Sequence, residues 1–122
     1  MLYNEYGKTG DMVSRIGFGA MRFADIDDED RCAALVLRAY ERGINYFDTA
    51  KGYFGGKSEE RLGLAFKEMQ SQRSEKPFYV STKTTARDPD EIFRDCEGSL
   101  ERMGLDYIDY YHVWYLTSLE EY

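Results

Sequence analysis

Residues 77–114 read PFYVSTKTTARDPDEIFRDCEGSLERMGLDYIDYYHVW, and this stretch decides the fold. Pro77 to Lys83 is rich in the β-branched and aromatic types that suit a sheet. Asp88-Pro89-Asp90-Glu91 then combines an N-cap aspartate, a proline at the first helical position and a glutamate three residues past the cap, so a helix starts there. Ile92, Cys96, Leu100 and Met103 form its inner face, Gly104 supplies a left-handed stop, and Tyr107 to Trp114 returns to strand. Strand, helix and strand in this order predict a parallel pair joined by a right-handed crossover.

The same unit repeats upstream. Residues Leu2 to Tyr6 and Met12 to Ile16 flank the turn-rich stretch Gly7 to Asp11, which predicts a β-hairpin, and Ile16-Gly17-Phe18 reads as a short strand. A helix opens at Asp27 or Asp28, carries Cys32, Val36, Ala39 and Tyr40 inward, and closes at Gly43. Ile44 to Asp48 is a second strand and Thr49 to Lys57 a loop. Ser58 is expected to cap a helix that buries Leu62, Ala65, Phe66 and Met69. The class is α/β. A hairpin followed by about four βα steps fits part of a (β/α)8 TIM barrel, and less well an open doubly wound sheet. The 122 residues are about half of the roughly 250 that a complete barrel needs, so residues 1–122 are expected to form a single, incomplete, N-terminal part of one.

Composition narrows the function. Sixteen Lys and Arg against 23 Asp and Glu leave a net charge of −7, and Asp25 to Asp30 contains no balancing base. Such a chain gains nothing from long-range attraction to nucleic acid or an anionic membrane. No apolar run approaches the length of a membrane span, and the first residues lack a signal pattern, so a cytoplasmic location is expected. Cys32 and Cys96 are too few and too isolated for a disulfide framework or a metal site.

In parallel α/β proteins the loops leaving the C-terminal strand ends build the site. Asp48 ends the second strand, Tyr53 lies in the loop after it, and Lys83 ends the third. Neighbouring strands lie about 4.8 Å apart, so the three groups can meet at one rim. A nearby ammonium favours the phenolate form of a phenol, and a carboxylate keeps that ammonium charged and aimed. The expected task of the trio is to protonate a developing alkoxide. Taken singly, each residue also fits a plain role as a loop cap, a packed ring or a solvated strand end.

Six segments carry a resemblance: Tyr6-Gly-Lys-Thr-Gly; Val13-Ser-Arg-Ile-Gly-Phe-Gly; Tyr46-Phe-Asp-Thr-Ala-Lys-Gly-Tyr53; Gly56-Lys-Ser-Glu-Glu-Arg-Leu-Gly63; Ser81-Thr-Lys-Thr84; and Ser99-Leu-Glu-Arg-Met-Gly-Leu-Asp-Tyr-Ile-Asp109. In this order they resemble successive motifs of the aldo-keto reductases. That resemblance implies a (β/α)8 barrel plugged by a hairpin. It also implies binding of NADP(H) and reduction of aldehydes or ketones, with Tyr53 as acid, Lys83 and Asp48 supporting it, and a histidine near the carbonyl. Where the family places that histidine, this chain has Trp114, while its one histidine, His112, stands two residues earlier. Side chains alternate along a strand, so His112 lies on the same face, about 6–7 Å deeper. His112 is expected as a packed, hydrogen-bonded core residue. Trp114 is expected to shape the pocket, its indole N–H able to orient a carbonyl but not to relay a proton.

Gly19-Ala20-Met21 resembles the segment that passes under the nicotinamide side of the cofactor, with Asp48 beside it. The opening motif and Gly-Gly-Lys-Ser-Glu-Glu resemble the subgroup that often carries a C-terminal iron-sulfur extension, but with no clustered cysteines in these 122 residues no cluster is expected. The family's second half supplies most grips on the adenosine and phosphate, so weak or absent activity of the 122 residues alone is expected. A noncatalytic regulatory role, as in the potassium-channel β subunits of this fold, or an inactive truncated remnant are the other readings. Unpaired sheet edges would favour self-association.

Overall fold

The computed structural model describes residues 1–121. Strands β1 (Tyr3–Glu5) and β2 (Met12–Ser14) form an antiparallel hairpin. Strands β3 (Phe18–Gly19), β4 (Tyr46–Asp48), β5 (Tyr79–Thr84) and β6 (Tyr110–Val113) follow in one parallel sheet, in that order. Helices α1 (Glu29–Glu41), α2 (Lys57–Met69) and α3 (Pro89–Met103) make the crossovers. The strand order never reverses, whereas a doubly wound sheet reverses at its switch point. With all three helices against one face of the sheet, this is the arrangement of part of a (β/α)8 barrel. Among the described residues there are three complete βα steps and a fourth strand, so the expected fourth step is represented by its strand alone.

Each helix begins where its chemistry demands. Asp28 has extended backbone and accepts from the Arg31 N–H, which settles the choice between the two aspartates. Asp88 accepts from the Glu91 N–H in the same way, with Pro89 just inside. Such a cap contributes about 1 kcal/mol. Gly104 closes α3 at φ 63° and Gly43 follows α1 at φ 95°, a region that side chains with a Cβ seldom adopt.

Ser58 departs from expectation. Gly56, at φ 96°, is the residue before α2, and Ser58 sits inside the first turn, fully buried. Its hydroxyl donates to the Ala20 carbonyl and accepts from no N–H at the start of its own helix. The left-handed run Phe54, Gly55, Gly56 winds the loop tightly enough to start the helix early.

The sheet has two unlike faces. Phe47 and Val80 point outward and meet Val36, Leu62, Phe66, Met69 and Met103 from the helices, all essentially without solvent contact. The inward row carries Tyr46, Asp48, Ser81, Lys83, Tyr110 and His112, as the register Asp48↔Ser81↔Tyr110 and Lys83↔His112 requires. The hairpin is tied to the sheet by Asn45, which accepts from the Ser14 N–H and donates to the Met12 carbonyl. Tyr6 packs its ring on Tyr46 and Tyr110 at 5.6 and 4.4 Å between centroids.

Buried polar groups join the layers. Glu59 of α2 is fully buried and accepts from Thr82 of β5 and from Arg102 of α3, both at 2.6 Å. Asp95 of α3 accepts from Thr84 of β5 and from Lys51 in the loop after β4. Burial works against the charge of Asp95, yet the bonds from Lys51 and Thr84 outweigh it and hold the carboxyl below its ordinary range.

Two outcomes are expected. Gly63 lets α2 approach α3: a Cβ there would lie 2.7 Å from the Arg102 carbonyl oxygen and 3.0 Å from the Met103 Cα. Alanine gains about 1 kcal/mol of helix propensity, but overpacking against backbone costs about 1–3 kcal/mol. Gly63→Ala should therefore lower the urea midpoint, and an equal or higher midpoint would show that the helices have slack. The second concerns acid. A lowered aspartate pKa contributes stability that is present above the ordinary value of 3.8 and is lost as pH falls through the lowered folded value. Lys51→Met should remove part of that acid-side loss, measured as unfolding free energy against pH, and identical profiles for the two proteins would discount the bond.

Candidate active site

The β4–β5 register sets Asp48 beside Ser81 on the inward face and lifts Lys83 one step above them. The Lys83 ammonium donates to both carboxylate oxygens of Asp48, at 2.8 and 2.9 Å, and to the Thr49 carbonyl at 2.6 Å. Three acceptors for three N–H groups leave this lysine fully engaged. Its side chain is 12% exposed, that of Asp48 38%. Asp48 also accepts from the Ser81 hydroxyl at 2.6 Å.

Tyr53 opens the tight turn that leads into α2. The Lys83 ammonium lies 5.3 Å from the centre of its ring. The cation thus addresses the aromatic face, and no hydrogen bond joins it to the phenol hydroxyl. Phe54 follows in left-handed conformation at φ 52°, which costs a residue with a Cβ about 1–2 kcal/mol. That strain sits next to the phenol, and Lys51 anchors the other side of the loop on Asp95.

Tyr53, Lys83, Thr85, Ala50 and Trp114 line a cavity of about 290 Å³ at the C-terminal ends of the strands. A larger groove of about 520 Å³ runs outside, between α2 and α3, among Leu64, Lys67 and Glu101. No tyrosine lines it and it lies away from the strand ends, where parallel α/β folds build their sites. Trp114 continues the ladder by donating its N–H to the Thr84 carbonyl. Arg87 fixes the next segment through the Tyr115 carbonyl at 3.0 Å and Glu121 at 2.9 Å. Tyr115, like Phe54, is left-handed, at φ 63°.

His112 is level with Lys83 on the neighbouring strand and half-buried. Among the described residues no hydrogen bond reaches its ring, which corrects the expectation of a hydrogen-bonded core histidine. Its partner at this level on β5 is Lys83, whose ammonium donates and cannot accept.

At the top of β3, Gly19 pairs with Asp48, and a side chain built at Gly19 would meet no atom within 4 Å. Met21 is exposed. Ala20 is buried, with its N–H bound to the Asp48 carbonyl and its own carbonyl to Ser58. Ser58 has one proton and gives it to Ala20, so Thr49 must be the donor in their 2.8 Å contact. The directed chain Thr49, Ser58, Ala20 fixes the loop whose carbonyl grips Lys83. Motif reading singles out neither Thr49 nor Ser81. Their signal is parity and adjacency: Ser81 shares a face with Lys83, and Thr49 follows Asp48. Among the described residues no group of three or more His, Cys, Asp or Glu side chains could hold a metal, and no helix is long and apolar enough to cross a membrane.

The profile of the Aldo/keto reductase family matches residues 15–117. L-galactose dehydrogenase of Arabidopsis thaliana is 36% identical over 115 residues, which are 87% of this chain and 35% of that protein. A probable voltage-gated potassium channel subunit beta of Oryza sativa subsp. japonica is 32% identical over 119 residues, 89% of this chain and 36% of the relative. A solved thermostable aldo-keto reductase, in complex with the inhibitor epalrestat, superposes with a TM-score of 0.78 at 30% identity, covering 91% of this chain and 42% of its own. The Bombyx mori aldo-keto reductase in complex with NADP gives 0.69 at 26% identity, covering 85% and 35%. The chain spans about a third of the length of the curated relatives it matches. With the hairpin, the parallel strands and the family profile in agreement over most of its length, the chain belongs to the Aldo/keto reductase family.

Proposed function

We propose that this chain carries the proton-donating part of an NADP(H)-dependent oxidoreductase that reduces aldehydes or ketones to alcohols. One observation supports it above the others: the Lys83 ammonium, held by both oxygens of Asp48, lies against the Tyr53 ring in a cavity at the strand ends. A substrate carbonyl enters beside Trp114. Tyr53 donates its proton to the oxygen as negative charge develops there, and the fixed positive charge of Lys83 steadies the phenolate left behind. Asp48 keeps that lysine charged and aimed. Trp114 orients the substrate and excludes water without exchanging a proton.

The dinucleotide, when bound, supplies the hydride that completes the reduction. The residues present fit its nicotinamide side. The open space before Gly19, the exposed Met21 and the partly exposed Asp48 carboxylate offer the surface, and buried Ala20 holds the segment in place. The NADP complex of the Bombyx mori protein lends weight to this cofactor.

A second reading has its own support in the similarity to a potassium channel subunit beta: a regulatory role in which the same fold serves a partner. Tyr53→Phe separates the two. Under the reductase reading it lowers whatever NADPH-dependent reduction of an aldehyde panel the parent shows, expected to be weak for these 122 residues, by about a hundredfold or more, while NADPH binding, followed by fluorescence, stays at the parent level. Undiminished turnover in the variant would sink the proposed role of Tyr53. Partner capture insensitive to this substitution, in a protein that turns over no carbonyl, would favour the regulatory reading.

A further inference from the structure

We propose that Ser81 is a positioning residue whose hydroxyl sets the orientation of Asp48 and, through it, of Lys83. Its significance for catalysis rests on the reading given under the proposed function. Ser81 has no solvent exposure, and its backbone is locked in register with Asp48. Its carbonyl accepts from the Thr49 N–H while its hydroxyl donates to Asp48 Oδ1 at 2.6 Å. The serine is thus rigid on both sides.

Asp48 is not rigid by packing. Its side chain is 38% exposed, and the terminal torsion of an aspartate is broad, so burial does not choose its orientation. The carboxylate could turn edge-on to Lys83 and offer one oxygen instead of two. A hydrogen bond to a charged oxygen from a fixed donor removes that freedom. With Oδ1 pinned by Ser81, both oxygens face the ammonium, and the Thr49 carbonyl completes its set of three acceptors. The ammonium is then held at one point relative to the Tyr53 ring. A serine serving only its own burial would be satisfied by any nearby acceptor and would leave the lysine indifferent to its loss.

The reactivity of Lys83 itself reads this out, without any need for turnover. The full chain is treated with a limiting amount of an amine-acylating reagent, and labelling of each lysine is followed by mass spectrometry, with exposed Lys8 as internal reference. Ser81→Ala should raise the rate at Lys83 relative to Lys8 by about fivefold, the ratio that one net hydrogen bond sustains. Ser81→Cys, nearly isosteric but a weak donor, should do the same, and it provides the comparison if the alanine protein fails to fold by near-ultraviolet circular dichroism. Ser81→Thr, which keeps the hydroxyl, should return the rate toward that of the parent. Asp48→Asn should raise Lys83 labelling as well. If Asp48→Asn raises it while Ser81→Ala and Ser81→Cys leave it unchanged, the role assigned to Ser81 is overturned. If Asp48→Asn also leaves it unchanged, the lysine is held by something else and the proposal falls with it. Neither result bears on whether Tyr53→Phe abolishes reduction, so failure here and failure of the reductase reading remain separate.

Discussion

The parallel pairing of β4 with β5 is the constraint on which the remainder rests. Alternation along a strand has a period of two, so the ladder that sends Phe47 and Val80 into the helices also sends Asp48, Ser81 and Lys83 the other way. A slip of one residue would drive a carboxylate into the apolar layer and a phenylalanine into the cavity. Losing a buried aromatic of this kind costs about 3–5 kcal/mol, and burying an unpaired charge costs more. The apolar face therefore enforces the geometry of the polar one. The site needs no separate scaffold, because packing behind the sheet holds the register that brings its charges together.

The buried polar contacts behind the sheet refine that register without being its main support. Glu59 accepts from Thr82 and Arg102, so α2, β5 and α3 share one carboxylate. An apolar replacement of the whole set could match it in stability, since desolvating charges offsets much of their attraction. What the set adds is direction: Thr82 must face outward to reach Glu59, which obliges Lys83, the next residue, to face inward. Asp109 acts similarly at the start of β5, accepting from the Val80 N–H and from Arg73, whose guanidinium lies between the rings of Phe78 and Tyr107. Burial pushes its carboxyl up, and the bonds from Val80 and Arg73 offset only part of this.

Local chemistry made most of the fold legible. Asp88-Pro89-Asp90-Glu91 and Gly104 bracket α3 because caps and left-handed stops are properties of a few adjacent residues. Ser58 was misleading for the same reason. A serine before an apolar helical pattern is a good cap, but Gly56 had already begun the helix, and the hydroxyl found a partner at Ala20, 38 residues away. Asp48, Tyr53 and Lys83 could be placed at one rim from strand ends alone. That the ammonium would face the Tyr53 ring and not its hydroxyl could not be read from them, since strand ends fix the rim but not the path of the loop, in which Phe54 is left-handed. Ser81 and Thr49 were invisible for a related reason, their partners being set by register across strands.

Position, more than residue type, singles out one phenol among 11 tyrosines. Burial pushes Tyr46, Tyr110 and Tyr111 up to about 12, and it also raises Tyr40 and Tyr79, so these rings hold their protons firmly. An ammonium over the ring is not sufficient either. Lys76 lies 4.0 Å from the centre of the Tyr40 ring, closer than Lys83 to Tyr53. The Tyr40 hydroxyl, however, is committed to the Lys76 carbonyl, and the ring packs against Phe78 at the N-terminal end of the sheet. Among the described tyrosines, Tyr53 alone combines a neighbouring ammonium, a hydroxyl that no other described residue engages, and a cavity at the strand ends wide enough to admit a small carbonyl. Proton donation needs all three together, because a proton already bound to a carbonyl has no path to a substrate, and a free one facing a packed wall has nothing to meet.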